Sequence, residues 1–297
     1  MELERISNQE LEVEVNAYGA ELWSVKDVRT RRQYLWQGRP DIWELRAPVI
    51  FPYCGRIKDF KFYGPDGKEH QGQNHGFARF TTHRLKENTG EGMTWRIEAD
   101  EQLRRLYPYE FSLETAYRLD GTDLHWTYLV KNNGDRDMPF NVGYHPGFIC
   151  PFEGGSQDIG DYALIFEREE TPIQLISDDQ GQLRTGEERI YFTACKEIPL
   201  KNGMFPKNVC LTGLKSEYID ITDRSSGRYI RVHIGGFKNL LLWSKPGDIH
   251  FICIEPWTGL ADDEQSRQRL ELKRDIQILK PGESYEKDLL IELGGAR

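Results

Sequence analysis

Three short segments of this chain each place one titratable side chain among glycine, proline and aromatic residues. They are residues 74–79 (NHGFAR), 143–148 (GYHPGF) and 253–257 (CIEPW), which carry His75, His145 and Glu255. Histidine titrates near neutral pH, and burial can bring a glutamate towards the same range. Two imidazoles and one carboxylate in one site can therefore act as an acid–base catalyst. The segments predict a proton-transfer enzyme, provided that the fold brings them together.

Glu255 follows the apolar run 251–254 (FICI), which places it at the mouth of a buried strand. A carboxylate in that position is costly without partners, and desolvation raises its pKa towards the range of a useful base. Pro256 should stop the strand ladder, and Trp257 offers an apolar face to a ligand ring. The alternative is a structural glutamate that is hydrogen-bonded to a turn or to an arginine.

His145 lies in a turn, because Gly143, Pro146 and Gly147 leave little room for regular structure. A rigid turn can aim a catalytic acid accurately, although a histidine in this position can also simply cap the turn. The other five histidines lack such surroundings and are expected at the surface or in packing: His70, His83, His125, His233 and His250.

Two arginines accompany these segments. Arg56 comes soon after the apolar run 49–52, where a guanidinium is expected to meet a carboxylate or a ligand oxygen. Arg79 follows His75 in the chain. It is expected either to bind a ligand in the same way or to form an ordinary surface ion pair.

Other classes of enzyme have less support in the sequence. Two histidines and a glutamate also resemble a catalytic zinc triad, but there is no HExxH motif and no close ligand pair. A GxSxG nucleophile elbow is absent as well. We therefore expect no metal and no other cofactor.

The bulk composition excludes several kinds of partner. A net charge of −9 argues against nucleic acid, whose phosphates need a basic surface. The five cysteines are widely spaced without a CxxC pair, which disfavours a disulfide framework. The first residues lack the apolar core of a signal peptide, and no apolar run approaches the ~20 residues of a membrane span. We expect a cytoplasmic protein without nucleic-acid or membrane partners.

The elements that must position the site are predicted to be β-strands. Leu124, Trp126, Tyr128 and Val130 alternate with more polar residues, as in a strand with one buried face. Similar alternation between turn residues predicts one all-β, antiparallel domain over residues 1–297. The predicted strands are 11–15, 94–99, 111–117, 124–131, 218–221, 229–234 and 288–293. A hairpin tip is expected at 64–67, a short helix at 262–272, and long loops at 154–160 and 177–188.

In this order, HGFAR, HPGF and IEPW, with GRI upstream, resemble the galactose mutarotase (aldose 1-epimerase) superfamily, and more closely its LacX-like branch. The resemblance implies a large antiparallel β-supersandwich with few short helices. It also implies that Glu255 is the general base, His145 the general acid, and His75 a second histidine that positions the sugar. Arg56 resembles the arginine that holds sugar hydroxyls, and Arg79 matches that of the HGFAR branches. Further pocket residues implied are Trp243, Lys245 and Trp257.

The implied activity is an aldose 1-epimerase, which interconverts α and β anomers of a small sugar or sugar phosphate, as a monomer or homodimer. One family feature is missing, because neither Asp220 nor Asp223 matches the substrate-binding aspartate of galactose mutarotases. HGFAR also occurs in hexose-6-phosphate mutarotases, which are one alternative. A non-catalytic carbohydrate-binding or regulatory β-sandwich is another. A glycoside-cleaving enzyme would need a second convincing carboxylate.

Overall fold

The computed structural model describes residues 2–295, and its largest element is a nine-stranded antiparallel sheet. In spatial order this sheet contains β15 (Cys195–Pro199), β12 (Tyr162–Glu170), β17 (Tyr218–Asp223), β18 (Arg228–His233), β22 (Ser284–Gly294), β9 (Asp123–Asn132), β8 (Phe111–Asp120), β7 (Gly92–Glu98) and β6 (Arg84–Asn88). The alternation predicted for residues 124–130 is confirmed, since the four apolar side chains are fully buried in the core.

A six-stranded antiparallel sheet carries the segments around Glu255 and His145. In spatial order it contains β11 (Gly147–Ile149), β20 (Phe251–Trp257), β19 (Asn239–Trp243), β16 (Val209–Thr212), β13 (Ile173–Ser177) and β14 (Leu183–Ile190). The smaller sheets are formed by β1 (Leu3–Ser7), β2 (Leu11–Asn16) and β3 (Glu21–Asp27), by β4 (Lys61–Tyr63) and β5 (Glu69–Gln71), and by β10 (Met138–Phe140) and β21 (Gln277–Leu279). The fold is all-β, as predicted.

The central strands of the six-stranded sheet, β20, β19 and β16, are buried on both faces. Ile252 and Ile254 belong to the main hydrophobic core, together with residues of the nine-stranded sheet. Because successive side chains of a strand point to opposite faces, Cys253 and Glu255 lie on the other face. That face forms the floor of the candidate site.

The predicted strands all occur, and two of them, 94–99 and 229–234, overrun the observed strand by one residue. The predicted hairpin tip at 64–67 connects β4 and β5. The loop predicted at 177–188 is wrong beyond residue 182, where β14 begins. This strand is at the edge of its sheet and only Leu183 in it is buried, so its polar sequence reads like a loop.

The helix predicted at 262–272 is also wrong. This segment contains only a 3₁₀ turn at Leu270–Leu272, because it has too few apolar residues at helical spacing to bury. The one α-helix in residues 2–295 is α1 (Glu101–Leu106), which begins where the Asp100 side chain accepts a hydrogen bond from the Leu103 N–H. Only Leu103 of α1 is buried, so no periodic pattern marks it. None of the described helices is long and apolar enough to cross a bilayer.

A buried ion pair between Asp262 and Lys273 holds the segment 262–273 in place, although the segment is not a helix. The side chains of Asp262 and Lys273 are only 4% and 2% exposed. Asp262 also accepts hydrogen bonds from the Lys58 N–H (3.0 Å) and the Ser266 hydroxyl (2.8 Å). Its own N–H donates to the carbonyl of Arg56 (2.8 Å), so the ion pair supports one wall of the site.

Replacing Lys273 by methionine is expected to cost about 3–5 kcal/mol of unfolding free energy, because Asp262 is left buried without a counter-charge. Urea unfolding at neutral pH measures this change. Lys280→Met is the matched control, since its partner Asp137 and Lys280 itself are both more than half exposed. Equal, small losses in the two variants would contradict the role of the buried pair.

Candidate active site

The register of β20 brings His145 opposite Glu255. Gly147 of β11 pairs with Cys253 of β20, and Gly143 forms an isolated bridge with Trp257. Between these two pairs the antiparallel register places His145 across from Glu255, and their side chains share one face. The distance from His145 Nε2 to Glu255 Oε2 is 3.3 Å. Two segments that are more than 100 residues apart in the chain thus form one pair.

Glycines flank His145 because two tryptophans approach the backbone closely. A Cβ atom on Gly143 would lie 2.7 Å from Trp257, and one on Gly147 would lie 2.7 Å from Trp43. Both distances are shorter than real Cβ contacts, so any larger residue would push the rings away. The glycines therefore serve the packing around the imidazole of His145.

The sequence predicted that Pro256 stops the strand ladder, and this prediction is wrong. Strand β20 continues through Pro256 to Trp257. The carbonyl of Pro256 accepts a hydrogen bond from the Tyr144 N–H (3.2 Å). The nitrogen of Pro256, which has no hydrogen to donate, faces the same side of the strand as this carbonyl. Pairing with β11 ends at Cys253, so the strand ladder loses no hydrogen bond at Pro256. Glu255 consequently lies within the strand and is only 2% exposed.

His75 reaches the site in a strained backbone conformation. Its φ of +64° lies in the left-handed region, which few residues other than glycine adopt. The Gly55 N–H donates to His75 Nδ1 (3.2 Å), so the neutral imidazole carries its proton on Nε2. The rings of His75 and His145 are 5.4 Å apart and nearly perpendicular. His75 is thus held as a neutral hydrogen-bond donor beside the His145–Glu255 pair.

Burial favours the uncharged forms of all three groups. It raises the pKa of Glu255 well above its ordinary value, against the opposing effect of the neighbouring Trp257 indole. It lowers the pKa of His145 to about 3, and the charge of Arg79 acts in the same direction. Burial, His145 and Arg79 together hold the pKa of His75 well below its usual value. Both shifts favour a state in which the His145–Glu255 pair holds one proton, on the carboxyl group.

Aromatic rings form one wall of the site. Trp43 stacks on His145, with ring centroids 5.2 Å apart, and meets Trp243 edge-on at 5.3 Å. The Trp36 indole N–H donates to the carbonyl of Trp43 (2.7 Å) and fixes this part of the chain. No sequence motif marked Trp43, because it comes from an irregular segment that meets His145 only in the folded protein.

Arg56 and Arg79 line the same cavity and lie over exposed rings. Their guanidinium carbons are 4.4 Å from the ring centre of Phe60 and 4.5 Å from that of Phe80, respectively. Within residues 2–295 neither guanidinium has a carboxylate at ion-pair distance. Arg56 instead donates to the side chain of Gln180.

The turn between β13 and β14 reaches over the cavity. Its residue Asp178 accepts from the N–H groups of Gln180 (2.8 Å) and Gln182 (3.0 Å), and Asp179 pairs with Lys207. The sequence left no candidate for a substrate-binding aspartate, and the turn brings two acidic residues to the cavity. Asp220 and Asp223 lie elsewhere, bound to Arg231 and to neighbouring serines.

The cavity has a volume of about 440 Å³, within the range of small-molecule sites. It brings together seven of the eight residues singled out from the sequence: Arg56, His75, Arg79, His145, Trp243, Glu255 and Trp257. Lys245 is exposed and is not among the lining residues. Sequence reasoning missed several further lining residues: Trp43, Asn74, Asp178, Asp179, Gln180, Lys207 and Cys210.

Comparison with known proteins identifies the family of this chain. The model of the aldose 1-epimerase family matches residues 2–292. The chromosomal protein LacX of Lactococcus lactis subsp. lactis is 30% identical over 289 residues, which are 95% of this chain and 96% of LacX.

Two solved structures share the fold over nearly their whole length. A galactose mutarotase related enzyme from Lactobacillus acidophilus has a TM-score of 0.93 and 27% identity, covering 99% of this chain and 98% of its own. A galactose mutarotase-like protein from Lactobacillus casei has a TM-score of 0.89 and 25% identity, covering 99% and 100%. On the family match and these relatives, the chain belongs to the aldose 1-epimerase family, in its LacX-like branch.

Proposed function

We propose that the protein is an aldose 1-epimerase that interconverts the α and β anomers of an aldose by acid–base opening and closure of the ring. The observation that carries the proposal is the His145–Glu255 pair, which faces a cavity of small-molecule size at 3.3 Å separation. Family membership makes this chemistry the first to test, and the pair has the groups that it requires.

Unpartnered polar atoms in the cavity support a hydroxyl-rich ligand. Among the described residues, His145 Nδ1, Arg56 Nε and Arg79 Nε are buried without a hydrogen-bond partner. Buried polar atoms in proteins are nearly always paired. A sugar supplies several hydroxyl groups for these atoms, and its apolar ring face suits the indole of Trp257.

The mechanism uses the single proton of the pair. Transfer of this proton from Glu255 to His145 produces a carboxylate and an imidazolium. The carboxylate then takes the proton of the C1 hydroxyl while the imidazolium donates to the ring oxygen, so that the C1–O5 bond breaks and the aldehyde forms. Rotation about C1–C2 and the reverse steps close either anomer. His75 and Arg56 orient the sugar oxygens.

The test is anomer exchange measured by magnetisation-transfer NMR with a panel of free aldoses and their 6-phosphates. Faster exchange for at least one sugar, abolished in Glu255→Gln, is the expected result. A protein that binds a sugar yet accelerates no exchange would overturn the proposal and favour a carbohydrate-binding protein.

A phosphorylated aldose is a second candidate substrate, because in residues 2–295 no carboxylate lies at ion-pair distance from either cavity arginine. Paired guanidiniums bind phosphate well. If a phosphate binds here, Arg56→Gln is expected to raise KM for the 6-phosphate at least about tenfold more than KM for the free aldose. Steady-state kinetics on both sugars measure this, and Arg118→Gln, an exposed arginine beside Asp120, is the control. An equal effect on the two sugars would assign Arg56 to sugar hydroxyls.

A further inference from the structure

A buried thiol lies beside the His145–Glu255 pair and has no part in the proposed proton transfer. Cys253 is two residues before Glu255 in β20 and shares its face of the sheet. Its Sγ, one imidazole nitrogen of His145 and one carboxylate oxygen of Glu255 lie within 4.8 Å of one another. One nitrogen, one sulfur and one oxygen therefore lie close together, and His145 and Glu255 of this group line the cavity.

We propose that His145, Cys253 and Glu255 form a binding site for a thiophilic divalent cation of the zinc class. Zinc takes thiolate, imidazole and carboxylate ligands at about 2.3, 2.0 and 2.1 Å in a tetrahedral arrangement, which separates the ligand atoms by roughly 3.3–3.6 Å. The His145–Glu255 distance of 3.3 Å already fits. The sulfur of Cys253 lies within 4.8 Å of the other two ligand atoms, and a change of its side-chain torsion brings it to the same spacing. A water or a sugar oxygen would complete the coordination from the cavity, which His145 and Glu255 line.

Charge balance supports the site. Within the described residues, Glu255 Oε2 is buried and forms no hydrogen bond of normal geometry, although His145 Nε2 lies 3.3 Å away. A thiolate and a carboxylate together neutralise a divalent cation, and an imidazole binds a metal as a neutral ligand. The loaded site is therefore uncharged, which suits a buried position.

The cation occupies the two groups that the proposed epimerase needs, so it blocks turnover. This consequence rests on the proposed function, whereas binding of the cation does not. No motif marks Cys253 as a third ligand, since it meets His145 only through the pairing of β11 with β20.

The experiment is a titration of chelator-treated protein with Co²⁺, followed by the thiolate-to-cobalt charge-transfer band in the near ultraviolet. We expect one equivalent to bind with this band, and Cys253→Ala to lose it. Cys195→Ala is the control and keeps the band, because Cys195 is the only cysteine that is not buried and the one most open to adventitious metal. A band that is absent in the wild type, retained in Cys253→Ala or lost in Cys195→Ala would overturn the proposal.

Glu255→Gln provides a second check that leaves the thiol in place. It is expected to weaken Co²⁺ binding at least about tenfold, and unchanged affinity would count against the site. Zn²⁺ inhibition of anomer exchange, lost in Cys253→Ala, tests the consequence for turnover. An active epimerase without the band refutes the metal site alone, whereas the band in a protein without epimerase activity refutes the proposed function alone.

Discussion

Replacing Glu255 by glutamine is expected to lower kcat for anomer exchange by about 10²–10⁴-fold, while sugar binding stays measurable. The amide preserves the shape of the side chain but cannot accept the proton of the C1 hydroxyl. Magnetisation-transfer NMR gives the rate, and a sugar titration gives the affinity. A rate within a factor of a few of wild type would remove Glu255 from the mechanism.

Stability measurements separate this loss from unfolding. Because the folded-state pKa of Glu255 is raised, the protonated carboxyl stabilises the fold below its unfolded value near 4.5, and this contribution is lost as pH rises through the folded pKa. Glu255→Gln is therefore expected to be at least as stable as wild type at neutral pH, with an advantage that grows as pH rises. Thermal unfolding at several pH values tests this sign. Glu264→Gln, an exposed glutamate beside Arg184, is the matched control for both rate and stability.

Replacing His145 by asparagine is expected to cause a loss of similar size and to reverse the pH dependence of the remaining activity. In the wild type the pair needs one proton, so kcat/KM falls above the raised pKa of Glu255 and again below the His145 pKa of about 3. Without the imidazole only the carboxylate acts, and the residual rate should rise with pH as Glu255 ionises. A pH–rate profile of each protein measures this difference.

His125→Asn is the matched control, since His125 lies outside the cavity and contacts Asp288 (2.9 Å). It is expected to leave both rate and profile unchanged. The double variant of Glu255 and His145 should be about as impaired as the worse single variant, because the two groups act as one unit. Additive losses, or a residual profile that still falls at high pH, would contradict a shared proton.

Much of the site could be predicted because its key residues have local surroundings that are readable in the sequence. Glu255 ends an apolar run, His145 lies between Gly143 and Gly147, and each pattern has a local physical reason. Alternation likewise predicted six of the nine strands of the large sheet, because a strand with one buried face needs it. The helix at 262–272 was predicted wrongly because charge placement without apolar periodicity does not make a helix stable.

The sequence by itself determined the β class, the family motifs and the acid–base residue types, since these depend on neighbours along the chain. Only the tertiary structure decided that His145 lies opposite Glu255, that Trp43 stacks on the imidazole, and that Cys253 shares their face. The physical reason is that register between distant strands, and the burial that shifts the pKa values, arise from packing of the whole chain. Contacts of irregular segments, such as the turn at 178–182 over Arg56, leave no periodic signal in the sequence.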